Sequence, residues 1–342
     1  MSQAVSRRTL LRSAVLLPLA GAGSSFLLSA CGSDDGGGSG SAAQTFTTSF
    51  GFVPSYVELM VAKEQGFFEK AGVDVTVRGA EGTSPAVQAL LSNSAQYTRV
   101  GGITQIISNA KQPVPLRAIG TVYQRSQYEI ISMPDKPIKS PKDMQGKKVG
   151  VVSTAGTTEF LVMLMAAKAG IPLDQIQRPV TGAGAAAYQL ASKGSVDAWV
   201  GLTTDRLSIN KANNIELAYF NTDDFCDAPA DSVYTTVDLL DSGSDAPKKV
   251  LTALAGAMEF AADPKNAEKC YESVQKYNPD VKKELLIEQL PTFAQLWTAG
   301  GTKDLLSLSP NTWTACTEQL LAAKIIDKKV ELDGLIREVA WK

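Results

Sequence analysis

Apolar and polar positions divide the chain into short strands and amphipathic helices that alternate along the sequence. Residues 45–50 and 73–77 read as strands, whereas the apolar residues between them recur at helical spacing. From residue 248 onward the pattern is helical. Strands that alternate with helices predict an α/β fold, here with added C-terminal helices. Further strand-like runs cover 116–122, 128–133, 149–153, 196–200, 215–220 and 232–237.

Two stretches one hundred positions apart, 82–104 and 182–204, resemble each other. Seven of the twenty-three positions are identical, and each copy is typical of a loop, a helix, a tight turn, a strand and a loop. The strand of the first copy carries Arg99 where the second carries Trp199. A repeat of this length indicates two similar α/β lobes.

Two polar surface segments mark where the chain would change lobe. Residues 134–148 are rich in proline and lysine, and residues 221–231 form an acidic loop. We therefore expect lobe 1 to comprise residues 45–130 plus 232–342, and lobe 2 to comprise residues 131–231. Two crossovers of this kind are compatible with a hinge.

Charge and composition exclude several function classes. The chain has 342 residues with a net charge of −2 and contains no histidine. Without histidine, catalytic triads that use it, histidine-ligated zinc and the commonest general base are excluded. No basic field is present, so nucleic acid is not expected as a partner. We predict neither a metal site nor a cofactor.

The N-terminal segment has the pattern of an export signal. Arg7 and Arg8 precede a mostly apolar run at 14–28, which is shorter than a membrane span. Paired arginines favour the twin-arginine route. Cys31 follows Leu-Ser-Ala, which resembles the lipobox of bacterial lipoproteins, with an ordinary cysteine near a cleavage site as the alternative.

This pattern predicts a signal peptide at 1–30 and a lipidated Cys31. A flexible, Gly- and Ser-rich linker at 31–44 would follow it. The protein would then be anchored to the outer face of the cytoplasmic membrane of a bacterium.

Three further cysteines, Cys226, Cys270 and Cys316, allow three different single disulfides. The pair Cys270–Cys316 is favoured because both residues fall in the helical C-terminal region, but sequence alone leaves all three pairings open.

The candidate ligand-binding residues lie in loops that follow strands. In open α/β sheets ligands bind beside the carboxyl ends of strands, where helix N-termini present free N–H groups. Aromatic residues nearby would favour a planar or amphiphilic ligand. Turns and helix caps are the alternative use of the same glycines and threonines. The candidates are Phe52, Tyr56, Gly82, Thr83, Gly102, Thr104 and Tyr123 in lobe 1, and Thr154, Gly156, Thr157, Thr158, Gly184, Trp199 and Thr203 in lobe 2.

Residues 182–187 also satisfy the G-x-G-x-x-A pattern of dinucleotide-binding loops, with Asp205 at about the expected distance. An exported, cofactor-dependent oxidoreductase is therefore the alternative function. The motif normally occupies the first strand–helix turn of its domain, whereas here it follows a later strand.

Three segments resemble the SsuA/NMT1/THI5-like substrate-binding proteins of ABC importers. They are VAKEQGFFEKAGVDVTV (61–77), SPKDMQGKKVGVVSTAG (140–156) and LASKGSVDAW (190–199). The resemblance implies a two-lobed periplasmic-binding-protein type II fold that holds a small organic ligand between its lobes.

Sulfonates, taurine, nitrate and thiamine pyrimidine precursors are the ligands of that group. The resemblance further implies a non-enzymatic, monomeric lipoprotein that works with a membrane permease and, through it, with an ATPase. The chain lacks the CCCFC-type cysteine cluster of the eukaryotic pyrimidine synthases, which weakens an enzymatic interpretation.

Overall fold

A computed structural model describes residues 43–298 and 305–341 of the chain. Its first sheet has five strands in the order β2-β1-β3-β9-β4. Strand β1 pairs in parallel with β2 and with β3. Strand β9 runs antiparallel to both β3 and β4. The bounds are β1 Gln44–Thr48, β2 Val75–Gly79, β3 Tyr97–Gly101, β4 Leu116–Thr121 and β9 Asp231–Thr236.

The second sheet has four strands in the order β6-β7-β5-β8. Strand β6 is parallel to β7, and β5 is antiparallel to both β7 and β8. The bounds are β5 Tyr128–Ser132, β6 Val149–Gly150, β7 Ala198–Leu202 and β8 Ala218–Asn221. Strand β6 is shorter than the predicted run at 149–153, because pairing beyond Gly150 is reduced to an isolated bridge at Val151.

The chain passes from the first sheet to the second between Thr121 and Tyr128, and it returns between Asn221 and Asp231. Every strand of the second sheet therefore lies between these two crossovers. The lobe boundaries proposed at residues 130 and 231 stay a prediction.

Twelve α-helices lie in the described residues. Helix α5 begins directly after Gly156, and the Thr158 hydroxyl in its first turn accepts the Val152 amide at 3.0 Å. The helix ends before Gly170, whose φ of +74° favours glycine. The bounds are α1 Val57–Glu64, α2 Phe67–Lys70, α3 Thr83–Leu91, α4 Gly102–Lys111, α5 Thr157–Lys168, α6 Gly184–Ser192, α7 Thr203–Asn213, α8 Val237–Asp241, α9 Ala246–Ala262, α10 Ala267–Gln275, α11 Lys283–Thr298 and α12 Pro310–Ala322.

Both copies of the sequence repeat fold in the same way. The first forms α3, β3 and the start of α4, and the second forms α6, β7 and the start of α7. Each copy therefore ends where a strand runs into the N-terminus of a helix.

The C-terminal helices pack mainly on the side of the first sheet. Helices α9 and α10 pack on α1, and α11 packs on α9 and α10. Helix α12 packs instead on α4 and α5. No helix in the part of the chain that the structure describes is long and apolar enough to span a bilayer.

The expected Cys270–Cys316 disulfide is not formed. The thiols of Cys226, Cys270 and Cys316 are all buried and free. Cys270 belongs to α10 and Cys316 to α12, which pack on different helices. Membership of one helical region was too coarse a criterion to identify a pair, because a disulfide needs closely matched Cβ positions.

Candidate functional site

The loops at the carboxyl ends of strands from the two sheets contact each other. The Ser84 hydroxyl donates to the Thr154 carbonyl oxygen at 3.3 Å. A Cβ placed on Gly82 would lie 3.1 Å from the Cβ of Ser153, and one on Gly156 would lie 3.4 Å from Thr83 Oγ1. We call these contacts, between residues 82–104 and residues 153–157, the junction. Its surface consists of small and hydroxyl-bearing residues.

Thr157 makes the tightest contact of the junction. Its Oγ1 shares a hydrogen bond of 3.0 Å with Thr104 Oγ1, and both threonines are buried. A Cβ on Gly101 would overlap the methyl group of Thr157 and lie 3.0 Å from its hydroxyl. The N-terminus of α5 can approach the first sheet this closely because residue 101 has no side chain.

Gly102, another candidate ligand-binding residue, contacts residues outside the junction. Its amide donates to the Pro229 carbonyl at 2.9 Å, and a Cβ there would lie 2.5 Å from Pro229 and 2.9 Å from Trp313. Gly102 therefore allows the second crossover and α12 to pack against α4, and it does not face Thr157.

A buried arginine lies behind the junction. Arg99 of β3 is 1% exposed and forms an ion pair with Glu58 of α1. Its Nη2 donates to the Ser55 carbonyl at 2.9 Å, and Asp231 lies 3.5 Å from its Nε. The guanidinium stacks on Tyr56, with 4.0 Å between Cζ and the ring centre.

Asp231 connects this arginine to both crossovers. Its carboxylate accepts the Tyr128 hydroxyl at 2.9 Å and the Gln127 amide at 3.0 Å, and both donors lie at the end of the first crossover. Its own carbonyl accepts the Val122 amide at 2.8 Å. Burial raises the pKa of Asp231, and Arg99 opposes that shift. The two crossovers are thus held together at one carboxylate.

A second buried ion pair stands at the N-terminus of α7. Arg206 donates to Glu129 of β5 at 2.7 and 3.2 Å and stacks on Tyr219 at 3.6 Å. The candidate Thr203 donates to the same carboxylate at 3.0 Å. Arg99 and Arg206 are therefore both already neutralised by carboxylates.

A cavity of about 320 Å³ opens between Pro54 and residues 278–285 on one side and helices α6 and α7 on the other. This volume suits a small organic molecule. Pro54, Val281 and Leu285 line one wall, and Ala185, Tyr188 and Ile209 line the other. The remaining lining residues are polar or small: Gly184, Asp205, Ser208, Ala212, Asn213, Asn278, Asp280 and Lys282. We call it the Asp205 cavity.

Asp205 is the half-buried carboxylate of this cavity. It accepts the Gly184 amide at the start of α6 and the Leu202 amide, at 3.5 Å, at the start of α7. Desolvation by burial raises its pKa to about 6, against the lowering effect of both amides. Two of its roughly four lone-pair positions are used by these amides.

The contact between the Asp205 carboxylate and the Gly184 amide argues against the alternative that residues 182–187 bind a dinucleotide. In dinucleotide-binding proteins the pyrophosphate lies on the helix N-terminus that follows the glycines. Here the Gly184 amide is occupied by the Asp205 carboxylate, whose charge would repel a phosphate. The acidic residue that completes the sequence pattern therefore blocks the site that the pattern would require.

The structure gathers six candidate residues in the junction and disperses the others. Phe52 packs on Tyr277 with 5.2 Å between ring centres. Tyr56 and Tyr123 are fully buried beside Arg99. Thr158 binds the Val152 amide, Thr203 contacts Glu129, Gly102 contacts Pro229, and Gly184 lines the Asp205 cavity. The six at the junction are Gly82, Thr83, Thr104, Thr154, Gly156 and Thr157.

Trp199 lies away from the junction. It is fully buried in a separate apolar cluster with Ile131 and Ile209, and its ring meets that of Tyr188 edge-on at 6.4 Å. Trp199 therefore supports Tyr188, which lines the Asp205 cavity. Sequence reasoning did not single out Tyr188 or Asn278, because neither belongs to a motif. Asp205 was considered only as part of the dinucleotide pattern.

These features define a two-lobed α/β protein of the periplasmic-binding-protein type II class, with two crossovers and facing strand ends. The alkanesulfonate-binding protein SsuA of Xanthomonas axonopodis pv. citri, bound to MOPS, superimposes with a TM-score of 0.68 at 14% identity, over 86% of this chain and 98% of that one. The nitrate-binding protein NrtA of Synechocystis PCC 6803 gives a TM-score of 0.64 at 14% identity, over 86% and 87%. At this identity the likeness shows the fold.

Within this class, the chain belongs to the family described as NMT1/THI5 like, which matches residues 53–267. A curated relative is the 4-amino-5-hydroxymethyl-2-methylpyrimidine phosphate synthase of Schizosaccharomyces pombe, 23% identical over 117 residues, or 34% of this chain and 33% of that protein. The chain thus spans about a third of the length of the curated relatives it matches.

Proposed function

We propose that this protein is the extracytoplasmic solute-binding component of an ABC importer, and that it captures a small organic molecule between its two lobes. The observation that carries the proposal is the Asp205 cavity, whose walls come from both halves of the molecule. Family membership and the fold shared with importer-binding proteins support it.

The buried charged groups behind the junction have a positioning role. In the described residues Arg99 and Asp231 are held in a network that connects β3, α1 and the crossovers. Such a network can position the two lobes. The synthase named among the relatives is the reason to test turnover directly.

A thermal-shift panel tests the proposal. The purified full chain is heated with hexanesulfonate, nitrate, 4-amino-5-hydroxymethyl-2-methylpyrimidine or benzamidine, each at a concentration well above the affinity sought. A ligand at about 100 times its Kd stabilises the native state by about 2.7 kcal/mol. We therefore expect at least one compound to raise the Tm by about 5 °C or more. A flat panel, or a retained flavin or nicotinamide with turnover, would contradict the proposal.

We also propose that Cys31, which lies outside the described residues, carries the lipid anchor. The expected consequence is that Cys31→Ser releases the exported protein from the membrane fraction, whereas Ser33→Ala, outside the lipobox, leaves it bound. Fractionation of cells that express the two variants measures this. Retention of the Cys31→Ser protein in membranes would show that the anchor is elsewhere.

A further inference from the structure

Two of the three buried thiols belong to segments that contact each other. Cys226 lies in the second crossover and Cys316 lies in α12, and both side chains are almost completely buried. Trp313 and Gln319 precede and follow Cys316 by three positions, so the three side chains lie along one side of the helix. Both flanking residues contact the crossover close to Cys226.

The contact after Cys316 is a pair of hydrogen bonds to the residue next to Cys226. The Asp227 backbone amide donates to Gln319 Oε1 at 3.2 Å. The side-chain amide of Gln319 donates in turn to the Asp227 carboxylate. This end of the crossover is therefore fixed against α12 by two groups of the same pair of residues.

The contact before Cys316 is apolar. Pro229 and the ring of Trp313 meet beside Gly102, where an added Cβ would lie 2.5 Å from the proline and 2.9 Å from the indole. Cys226 and Trp313 also line one cavity of about 270 Å³. The crossover thus follows the side of α12 on which Cys316 lies.

The two thiols also share their charged neighbours. Burial raises the pKa of Cys226 to about 12, and Lys168 of α5 opposes this shift whereas Asp227 adds to it. Burial raises the pKa of Cys316 as well, and the charge of Cys226 raises it further; Asp227 and Lys168 act on it in the same directions as on Cys226. Each thiol is therefore close enough to the other for their charges to interact.

Cys270 has no such neighbour among the described residues. It belongs to α10, which packs on α1 and α11, and burial alone raises its pKa. Cys270 is therefore an internal control for chemistry that needs two adjacent thiols.

We propose that Cys226 and Cys316 are a dithiol that a disulfide oxidant converts to an intramolecular disulfide, and that this bond fastens the second crossover to α12. One thiolate attacks the oxidant's disulfide, which gives a mixed disulfide and releases one thiol. The second thiolate then displaces the other half of the oxidant. The two protein thiols lose two protons and two electrons, and the oxidant leaves as two thiols.

The inference is independent of the proposed function, because it involves neither the ligand nor a permease. An exported protein would meet oxidants of this class, which are scarce in the cytosol. The buried, protonated thiols react slowly in the folded state, because the thiolate is the nucleophile. The exchange therefore takes place while the chain folds or when the crossover opens.

Refolding in glutathione buffers tests the proposal. The full chain with Cys31→Ser, which leaves three thiols, is unfolded and reduced in urea. It is then refolded at about pH 8, near the usual pKa of a thiol, in mixtures of reduced and oxidised glutathione, quenched with acid and alkylated. In the oxidising mixtures we expect the free thiols to fall from three to one per chain. Mass spectrometry of the digested protein should find the peptides of Cys226 and Cys316 joined.

Serine variants of this protein identify the pair. Cys226→Ser and Cys316→Ser should each keep both of their remaining thiols in the oxidising mixture. Cys270→Ser is the matched control and should lose both. The Tm of the oxidised parent should exceed that of the reduced parent by about 5 °C or more, because the bond closes a loop of roughly 90 residues in the unfolded chain. Cys226→Ser should show no such difference.

Four results would overturn the inference. The first is folded protein that keeps all three thiols in the most oxidising mixture. The second is a disulfide that includes Cys270, and the third is loss of thiols only as glutathione adducts. The fourth is an oxidised protein with the Tm of the reduced one, which would show that the bond does not fasten the crossover.

Discussion

At the scale of single residues, Arg99 is the centre of the buried charged network. It is fully buried and is shared by Glu58, Asp231 and the ring of Tyr56. The variant Arg99→Met removes one partner of a buried network and leaves two carboxylates uncompensated. We expect it to lower the free energy of unfolding by about 3–5 kcal/mol, as measured by urea denaturation.

Lys63→Met is the control for this prediction. Lys63 pairs with Asp74 at 3.3 Å, and both side chains are substantially exposed to solvent. Its loss should cost less than about 1 kcal/mol, because exposed ion pairs contribute little. Equal effects of the two substitutions would show that the Arg99 network does not stabilise the fold.

Arg99 also shows that the sequence predicts the position of a residue but not its contacts. The repeat correctly placed Arg99 and Trp199 at equivalent positions in two strands, and both are buried. It could not reveal what each position contacts. Arg99 is neutralised by residues 41 and 132 positions away, and Trp199 packs against Tyr188. Contacts between distant segments leave no periodic signal in one sequence.

At the scale of elements, the approach of α5 to β3 depends on Gly101. Its φ of −68° suits any residue, so an added methyl group causes no backbone strain, and its nearest neighbours are atoms of the Thr157 side chain. Gly101→Ala should therefore force the junction apart at a cost of about 1–3 kcal/mol and weaken ligand affinity by about fivefold to a hundredfold. Calorimetric titration with whichever ligand the panel identifies measures this.

A second substitution tests whether the clash with Thr157 causes the effect of Gly101→Ala. Thr157→Ala removes the methyl group that the new side chain would meet, so the double variant should recover most of the lost affinity. Thr157→Val keeps the shape and loses only the hydrogen bond to Thr104, at a cost of about 1 kcal/mol. No recovery in the double variant would indicate that Gly101 acts in another way.

Helix α11 forms a second link between the two halves. It packs on α9 and α10, and its buried Gln289 donates to the Thr204 carbonyl at 3.0 Å and to the Ser208 hydroxyl at 2.8 Å, both in α7. Gln289→Ala should lower the free energy of unfolding by about 1–3 kcal/mol, which denaturant titration measures. Gln295→Ala, on an exposed position of the same helix, should have almost no effect. Similar losses for both variants would contradict a specific link.

Helices and strands could be predicted from the sequence far better than the residues of the Asp205 cavity. The alternation of patterns located the strands and helices of both repeat copies, and Gly and Pro marked helix ends such as Gly170. The facing loops at 82–84 and 154–157 followed from the rule that ligands bind at strand ends. The Asp205 cavity did not follow, because its far wall comes from residues 278–285, which are distant in sequence and belong to no motif.

At the scale of the whole molecule, the two halves are connected by the crossovers, the junction and α11. The crossovers meet at Asp231, the junction at Thr104 and Thr157, and α11 reaches α7 through Gln289. A ligand that contacts both walls of the Asp205 cavity would add a fourth connection. Binding would then favour the state in which the junction is formed, because a ligand shifts an equilibrium by its difference in affinity for the two states.

The central claim is that the protein binds a small molecule between its halves and releases it unchanged. The most direct measurement saturates the full chain with the best ligand of the panel, removes the excess, denatures the protein and identifies the released molecule by mass spectrometry. The account predicts one equivalent of unaltered ligand per chain, and none from Ala185→Trp, in which the new side chain would fill the Asp205 cavity. Recovery of a chemically converted molecule, or equal recovery from both proteins, would contradict it.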